Sequence, residues 1–184
     1  MIAIMFADLD SFLGDLPFRT LAFEPGQSVF HLGDLVRMVH FVESGSIQLV
    51  RRQADGSMLI LQRAGPGSVV AEASLHSSAY HCDAVALGRA TTRAYAKADL
   101  QERLRRDPNF SDAWTRRLGR ELQSARLHAE ILALKTVAQR LDAWLTSKDG
   151  AAPRKGEWKA VAGQLGVSPE ALYREIAKRG RRSG

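Results

Sequence analysis

A chain of 184 residues with 26 Lys and Arg, 20 Asp and Glu and 45% apolar residues has the composition of a globular protein, with room for one full-sized domain and a smaller companion. Its one cysteine, Cys82, excludes an intrachain disulfide framework and any site built from two or more thiolates of one chain. The formal charge of +6 is uneven: positions 1–100 hold 8 basic and 10 acidic residues, positions 101–150 hold 10 and 7, and positions 151–184 hold 8 and 3. A basic C-terminal end points to a polyanionic partner, usually nucleic acid. Residues 1–10 have no Lys or Arg ahead of their apolar residues, and no window approaches 18 uncharged apolar residues. The expectation is a cytoplasmic protein with no signal peptide and no membrane partner.

From Phe23 to about Tyr95 short apolar runs alternate with Gly and Pro: Pro25-Gly26, Gly33-Asp34, Ser44-Gly45, Asp55-Gly56, Gly65-Pro66-Gly67 and Gly88. This rhythm predicts antiparallel strands over 36–43, 46–52, 57–63, 69–73, 80–87 and 91–96, with a tight hairpin at Asp55-Gly56. Strands this short and this numerous hide their edges by closing on themselves, as a jelly-roll or barrel.

After Ala98 the apolar period lengthens from 2 to about 3.6, which marks helix. A short amphipathic helix begins at Asp99 and ends at Asp107-Pro108; Ser111 or Asp112 then caps a long helix reaching about Leu134. Along it Leu118, Leu122, Ala125, Ala129 and Leu132 follow the alternating four- and three-residue steps of a coiled-coil seam. Leu127, Ile131 and Leu134 lie on a neighbouring face, so the helix is expected to pack on its own barrel and on a second copy. A further helix spans Thr136 to about Ser147, and residues 148–156 form a loop. The chain is thus expected to divide into a barrel (1–110), a dimerisation helix (111–134) and a helical domain (135–184), an α+β architecture overall.

The last unit carries the most specific pattern. A short helix over 158–165, a turn at Gly166-Val167-Ser168 and a helix from Pro169 to Lys178 make a helix-turn-helix. Ala162 is the small residue that admits the second helix, Gly166 suits the turn, and Leu172 closes the interior. Ser168 caps the second helix and Pro169 fits its first turn. On double-stranded DNA the contact residues would be Ser168, Glu170, Tyr173 and Arg174, with Arg174 pairing a guanine edge and Glu170 a cytosine amine, while Lys178, Arg179, Arg181 and Arg182 would hold phosphates. Glu175 occupies a place where an apolar residue is usual, and the adjacent Ile176 is available instead.

This order of elements resembles the superfamily of cyclic-AMP receptor protein and fumarate–nitrate reduction regulator transcription factors. The resemblance is carried by residues 23–30, Gly33-Asp34, 39–47, Gly65-Pro66-Gly67 followed by Glu72, and 165–170. It implies a homodimeric regulator whose barrel senses an effector, with DNA and RNA polymerase as partners. Three departures qualify it. The Arg-Ser or Arg-Thr pair that binds a cyclic phosphate is replaced by Cys82-Asp83, so cyclic AMP is expected to bind poorly. The N-terminal cysteine cluster of iron–sulfur members is absent. The sequence ends at Gly184, where a β-hairpin wing would follow.

The effector pocket is expected around Glu72, His76, Cys82 and Asp83. His76 with Cys82 or His81 suggests a metal, with His81 and Cys82 on opposite faces of a strand. A redox effector would need Cys82 accessible and acidified; the commoner role of such a single cysteine is a buried thiol packing as a small apolar group. The sequence assigns no cofactor. Metal-enzyme chemistry of the cupin kind needs a His-x-His pair, which does not occur, and no Walker or dinucleotide loop is present. The alternative to a DNA-binding regulator is a ligand-binding or protein-interaction module that has lost sequence-specific DNA binding.

Overall fold

The computed structural model describes residues 13–54, 58–147, 153, 156 and 158–180. The chain forms two compact units, Met1–Thr115 and Arg116–Gly184.

In the first unit the described strands are β1 (Phe18–Phe23), β2 (Ser28–Phe30), β3 (Met38–Ser44), β4 (Ile47–Arg52), β5 (Met58–Ala64), β6 (Val69–Val70), β7 (Asp83–Ala86) and β8 (Ala90–Ala96). They form two antiparallel four-stranded sheets in the orders β1-β8-β3-β6 and β2-β7-β4-β5, the jelly-roll sandwich. Between the sheets lies a core that includes Phe23, Phe30, Val42, Ile47, Leu49, Tyr80, Cys82 and Ala84. The outer face of the first sheet is covered by α1 (Lys97–Arg106) and the start of α2 (Pro108–Ala133), which bury Val39, Phe41, Tyr95, Leu100, Phe110 and Trp114 together. β3 is therefore covered on both faces, which is why its sequence from Met38 to Val42 reads as an apolar run broken only by His40. Each large side chain removed from water here contributes about 1.5–3 kcal/mol.

Several boundaries differ from the sequence expectation. The sequence pattern does not mark β1 and β2 as strands; β1 is largely exposed along Phe18–Leu21 and β2 has three residues, so neither shows strong alternation. β6 stops at Val70 because Ala71 takes a left-handed conformation, φ +76°, and Glu72–Ser74 then form one 3-10 turn. β7 starts at Asp83 rather than Tyr80. The Asp55-Gly56 turn lies outside the described residues, although the register from Ile47↔Ala64 to Arg52↔Met58 pairs β4 with β5. α2 starts at Pro108, not Ser111 or Asp112. Asp107 Oδ1 accepts from the backbone N–H of Asn109 (3.0 Å) and Phe110 (3.1 Å), an N-cap immediately ahead of a proline whose missing N–H costs nothing there.

The second unit contains the rest of α2, α3 (Val137–Thr146), α4 (Trp158–Gln164) and α5 (Pro169–Gly180). Thr136 caps α3 in a reciprocal box with Gln139. The core joins Ile131, Leu141, Trp144, Val161, Ala162, Leu165 and Leu172. Ile131 thus serves this helical core, and Leu127 is exposed. The seam residues Leu118, Leu122, Ala125, Ala129 and Leu132 are all exposed on the single chain, Leu122 at 52%.

Candidate nucleic-acid interface and barrel cavity

The α4–α5 pair is built around its turn. Val167 N–H donates to Ala162 O (3.0 Å) and Gly166 N–H to Gly163 O (3.3 Å), the paired bonds that close a helix through a left-handed residue. Gly166 is that residue, with φ +62°, and a Cβ placed on it would lie 2.8 Å from Leu132 Cδ2. Ala162 is fully buried and Leu172 nearly so. Ala162 and Leu172 therefore share one interior, and Gly166 makes the exposed turn beside it. Ser168 Oγ accepts from Ala171 N–H (3.2 Å), the expected cap of α5.

With Leu172 turned in, the helical period turns Glu170, Tyr173, Arg174 and Lys178 out to solvent. The Glu170 carboxyl is held below its ordinary range, first by its own backbone N–H and then by the Ser168 hydroxyl, so it is an acceptor at neutral pH. Arg179 does not join this face. Its Nε donates to Glu175 Oε1 (3.0 Å), its Nη2 to Ala138 O (2.9 Å) and its Nη1 to Asp142, so the guanidinium is turned onto α3. Glu175 is thereby paired rather than stranded, and Ile176 packs against the helical core. Arg181 and Arg182 lie outside the described residues.

In the first unit a cavity of about 40 Å³ is lined by Phe30, Leu49, Gln62, Ala71 to Ser74, His81 and Cys82. Of the four residues expected to form the effector pocket, Glu72 and Cys82 line it. His76 is exposed and stands apart from the lining. Asp83 points elsewhere: its Oδ1 accepts from Leu32 N–H (2.9 Å) and stands 3.5 Å from His31 Nδ1. The carboxylate expected to repel a cyclic phosphate is therefore committed to the loop before β3. His81 and Cys82 do not diverge as strand neighbours would, because the strand begins one residue later. Both line the cavity, with His81 Nδ1 3.0 Å from Ser74 Oγ. Sequence reasoning passed over Gln62 and Ser74, since nothing in their spacing marks them.

Cys82 is 1% exposed, and burial raises its thiol pKa, with Arg51 opposing and Asp83 and Glu72 adding to the rise. An accessible, acidified thiol is what oxidant sensing requires, and Cys82 is neither. Among the described residues no group of three or more His, Cys, Asp and Glu stands close enough to hold a metal ion. No Lys or Arg is among the cavity's lining residues to meet a phosphodiester, although the Arg51 guanidinium stands beside them, its Nη2 donating to His81 O (2.9 Å).

Residues 20–107 match the cyclic nucleotide-binding domain family. No curated protein sequence matches the chain. Among solved structures, FixK2 from Bradyrhizobium japonicum is similar at TM-score 0.74 and 18% identity, with 91% of this chain and 87% of that one covered. The c-di-GMP-responsive global regulator CLP of Xanthomonas campestris is similar at TM-score 0.69 and 20% identity, covering 96% and 92%. A transcriptional regulator of the CRP family from Thermus thermophilus is similar at 0.64 and 19%, covering 89% and 85%. Among the described residues no helix is long and apolar enough to cross a membrane. The chain therefore carries a cyclic nucleotide-binding domain fold over residues 20–107 and shares, over most of its length, the fold of transcription regulators of the CRP type.

Proposed function

We infer that the chain is a homodimeric DNA-binding transcription regulator whose barrel answers to an effector other than cyclic AMP. The observation that carries this reading is the pairing on α5 of a buried Leu172 with an outward Glu170, Tyr173, Arg174 and Lys178, behind a left-handed Gly166 turn. Arg174 suits a bidentate guanine contact, Glu170 a cytosine amine, and Lys178 a phosphate. Two copies joined along Leu118, Leu122, Ala125, Ala129 and Leu132 would bury a seam that a single chain leaves in water. They would also offer two reading helices to a two-fold site. Arg181 and Arg182 add basic charge just beyond α5 and extend the expected phosphate contact. Contact with RNA polymerase belongs to the same reading.

The alternative, a module that no longer reads DNA, took part of its motive from Glu175. That motive is weakened, because Arg179 neutralises the carboxylate at 3.0 Å within the unit. The test is selection from a random duplex pool at moderate salt with the full chain. The expected result is enrichment of a palindrome and, for Arg174→Ala, a loss of about 1–3 kcal/mol with relaxed preference at one base position. Failure to enrich any sequence would favour the alternative.

A further inference from the structure

Arg140 lies in the first turn of α3 and reaches two other elements at once. Its Nε donates to Leu134 O (2.8 Å), the carbonyl just past the end of α2. Its Nη1 donates to Leu165 O (2.9 Å) and Gly166 O (3.3 Å), in the turn between α4 and α5. Carbonyls at a helix C-terminus lack partners within the helix and carry partial negative charge, so a planar guanidinium spanning two such ends joins them by charge-assisted bonds. Beside it, Leu132 Cδ2 fills the space over Gly166 that a Cβ would need. Leu132 is also the last apolar residue of the exposed α2 seam and is 38% exposed. One joint thus connects the seam, the end of α2 and the turn that presents α5.

Resting on the DNA-reading conclusion above, we propose that Arg140 is a positioning residue for that reading. It fixes the angle between α2 and α5, and thereby the separation at which two recognition helices meet a duplex, through its Nε and Nη1, which donate to Leu134, Leu165 and Gly166. The fork geometry is required: a lysine ammonium in the same place meets one end, not both.

The experiment uses the full chain and the palindrome it selects from a random pool, rebuilt with the half-sites moved apart by one and by two base pairs. The wild type should bind one spacing sharply. Arg140→Met, which keeps the apolar stem, should bind that spacing about tenfold more weakly and lose most of its preference among spacings, with the salt dependence of binding unchanged. Arg140→Lys should fall between the two. Leu132→Ala approaches the joint from its apolar side and should also broaden the spacing tolerance, which keeps the proposal testable if Arg140→Met loses helix. A mere loss of stability would lower the active fraction without changing spacing preference. Unchanged preference in folded variants, or a salt slope reduced by about one, would overturn the proposal, the latter by making Arg140 a phosphate contact. A wild type that selects no duplex overturns the DNA-reading conclusion and this proposal together; a sharply selective wild type with equally selective variants overturns this proposal alone.

Discussion

Replacing Gly166 with alanine tests the stereochemistry of the turn directly. Two separable costs follow from its surroundings. The backbone at φ +62° disfavours any Cβ by about 1–2 kcal/mol. The new methyl would also stand 2.8 Å from Leu132 Cδ2 and 3.4 Å from Arg140 Nη1. The nearer neighbour is the end of a flexible side chain, so it gives way by leaving its rotamer, at about 0.5–1.5 kcal/mol. The expected total is about 1.5–3.5 kcal/mol for the second unit. Urea unfolding followed by Trp144 and Trp158 fluorescence reads it, with Trp114→Phe as the common background so that the first unit is silent. Leu132→Ala in the same chain should return the steric part and leave the backbone part. A Gly166→Ala cost below about 0.5 kcal/mol, or effects of the two substitutions that simply add, would refute the reasoning.

Two further outcomes concern the barrel. His40 is buried, and desolvation lowers its pKa to about 4 from an ordinary 6.5. The unfolded chain therefore takes up this proton first as pH falls. The stability tied to the neutral imidazole is complete above pH 6.5 and is lost between 6.5 and about 4, amounting to about 3 kcal/mol. In unfolding free energies measured from about pH 7 to 4.5, His40→Gln should remove most of that slope, and an identical slope in the variant would contradict the assignment. The second outcome is kinetic. With Cys82 1% exposed and its thiol pKa raised, alkylation by iodoacetamide at about pH 7.5 should proceed only as fast as the barrel opens, and rapid labelling of the folded chain would sink that account.

The sequence made legible what is local. Ala162, Gly166, Ser168 and Leu172 sit within eleven residues of one another, and each acts through its own backbone or an adjacent turn, so spacing alone placed them. β3 to β8 were marked by the Gly and Pro residues between them, whereas β1, mostly exposed, and β2, three residues long, carry no such signature. What escaped depended on a boundary or on a distant partner. A strand beginning at Asp83 instead of Tyr80 brings His81 and Cys82 to one cavity and sends Asp83 to Leu32. Arg179 looks like a phosphate contact until Asp142, 37 positions earlier, is known to face it. Arg140 gave no sign at all, because its partners are three backbone carbonyls, and carbonyls have no letter in a sequence.

β3 is apolar toward both the inter-sheet core and the helical cover, so sliding it by one residue would still bury greasy side chains on each side, and hydrophobicity alone is a poor guide to its alignment. His40 supplies the missing information. In the observed alignment its Nδ1 lies 3.2 Å from the hydroxyl of fully buried Thr92, diagonally across on β8 and on the same side of the sheet. A slip of one position would carry the imidazole through to the other side, among Tyr95, Leu100 and Phe110, and leave both polar groups in a dry interior without each other, at about 1–3 kcal/mol for each. One buried polar pair thus acts as a key that admits a single threading of the central strand.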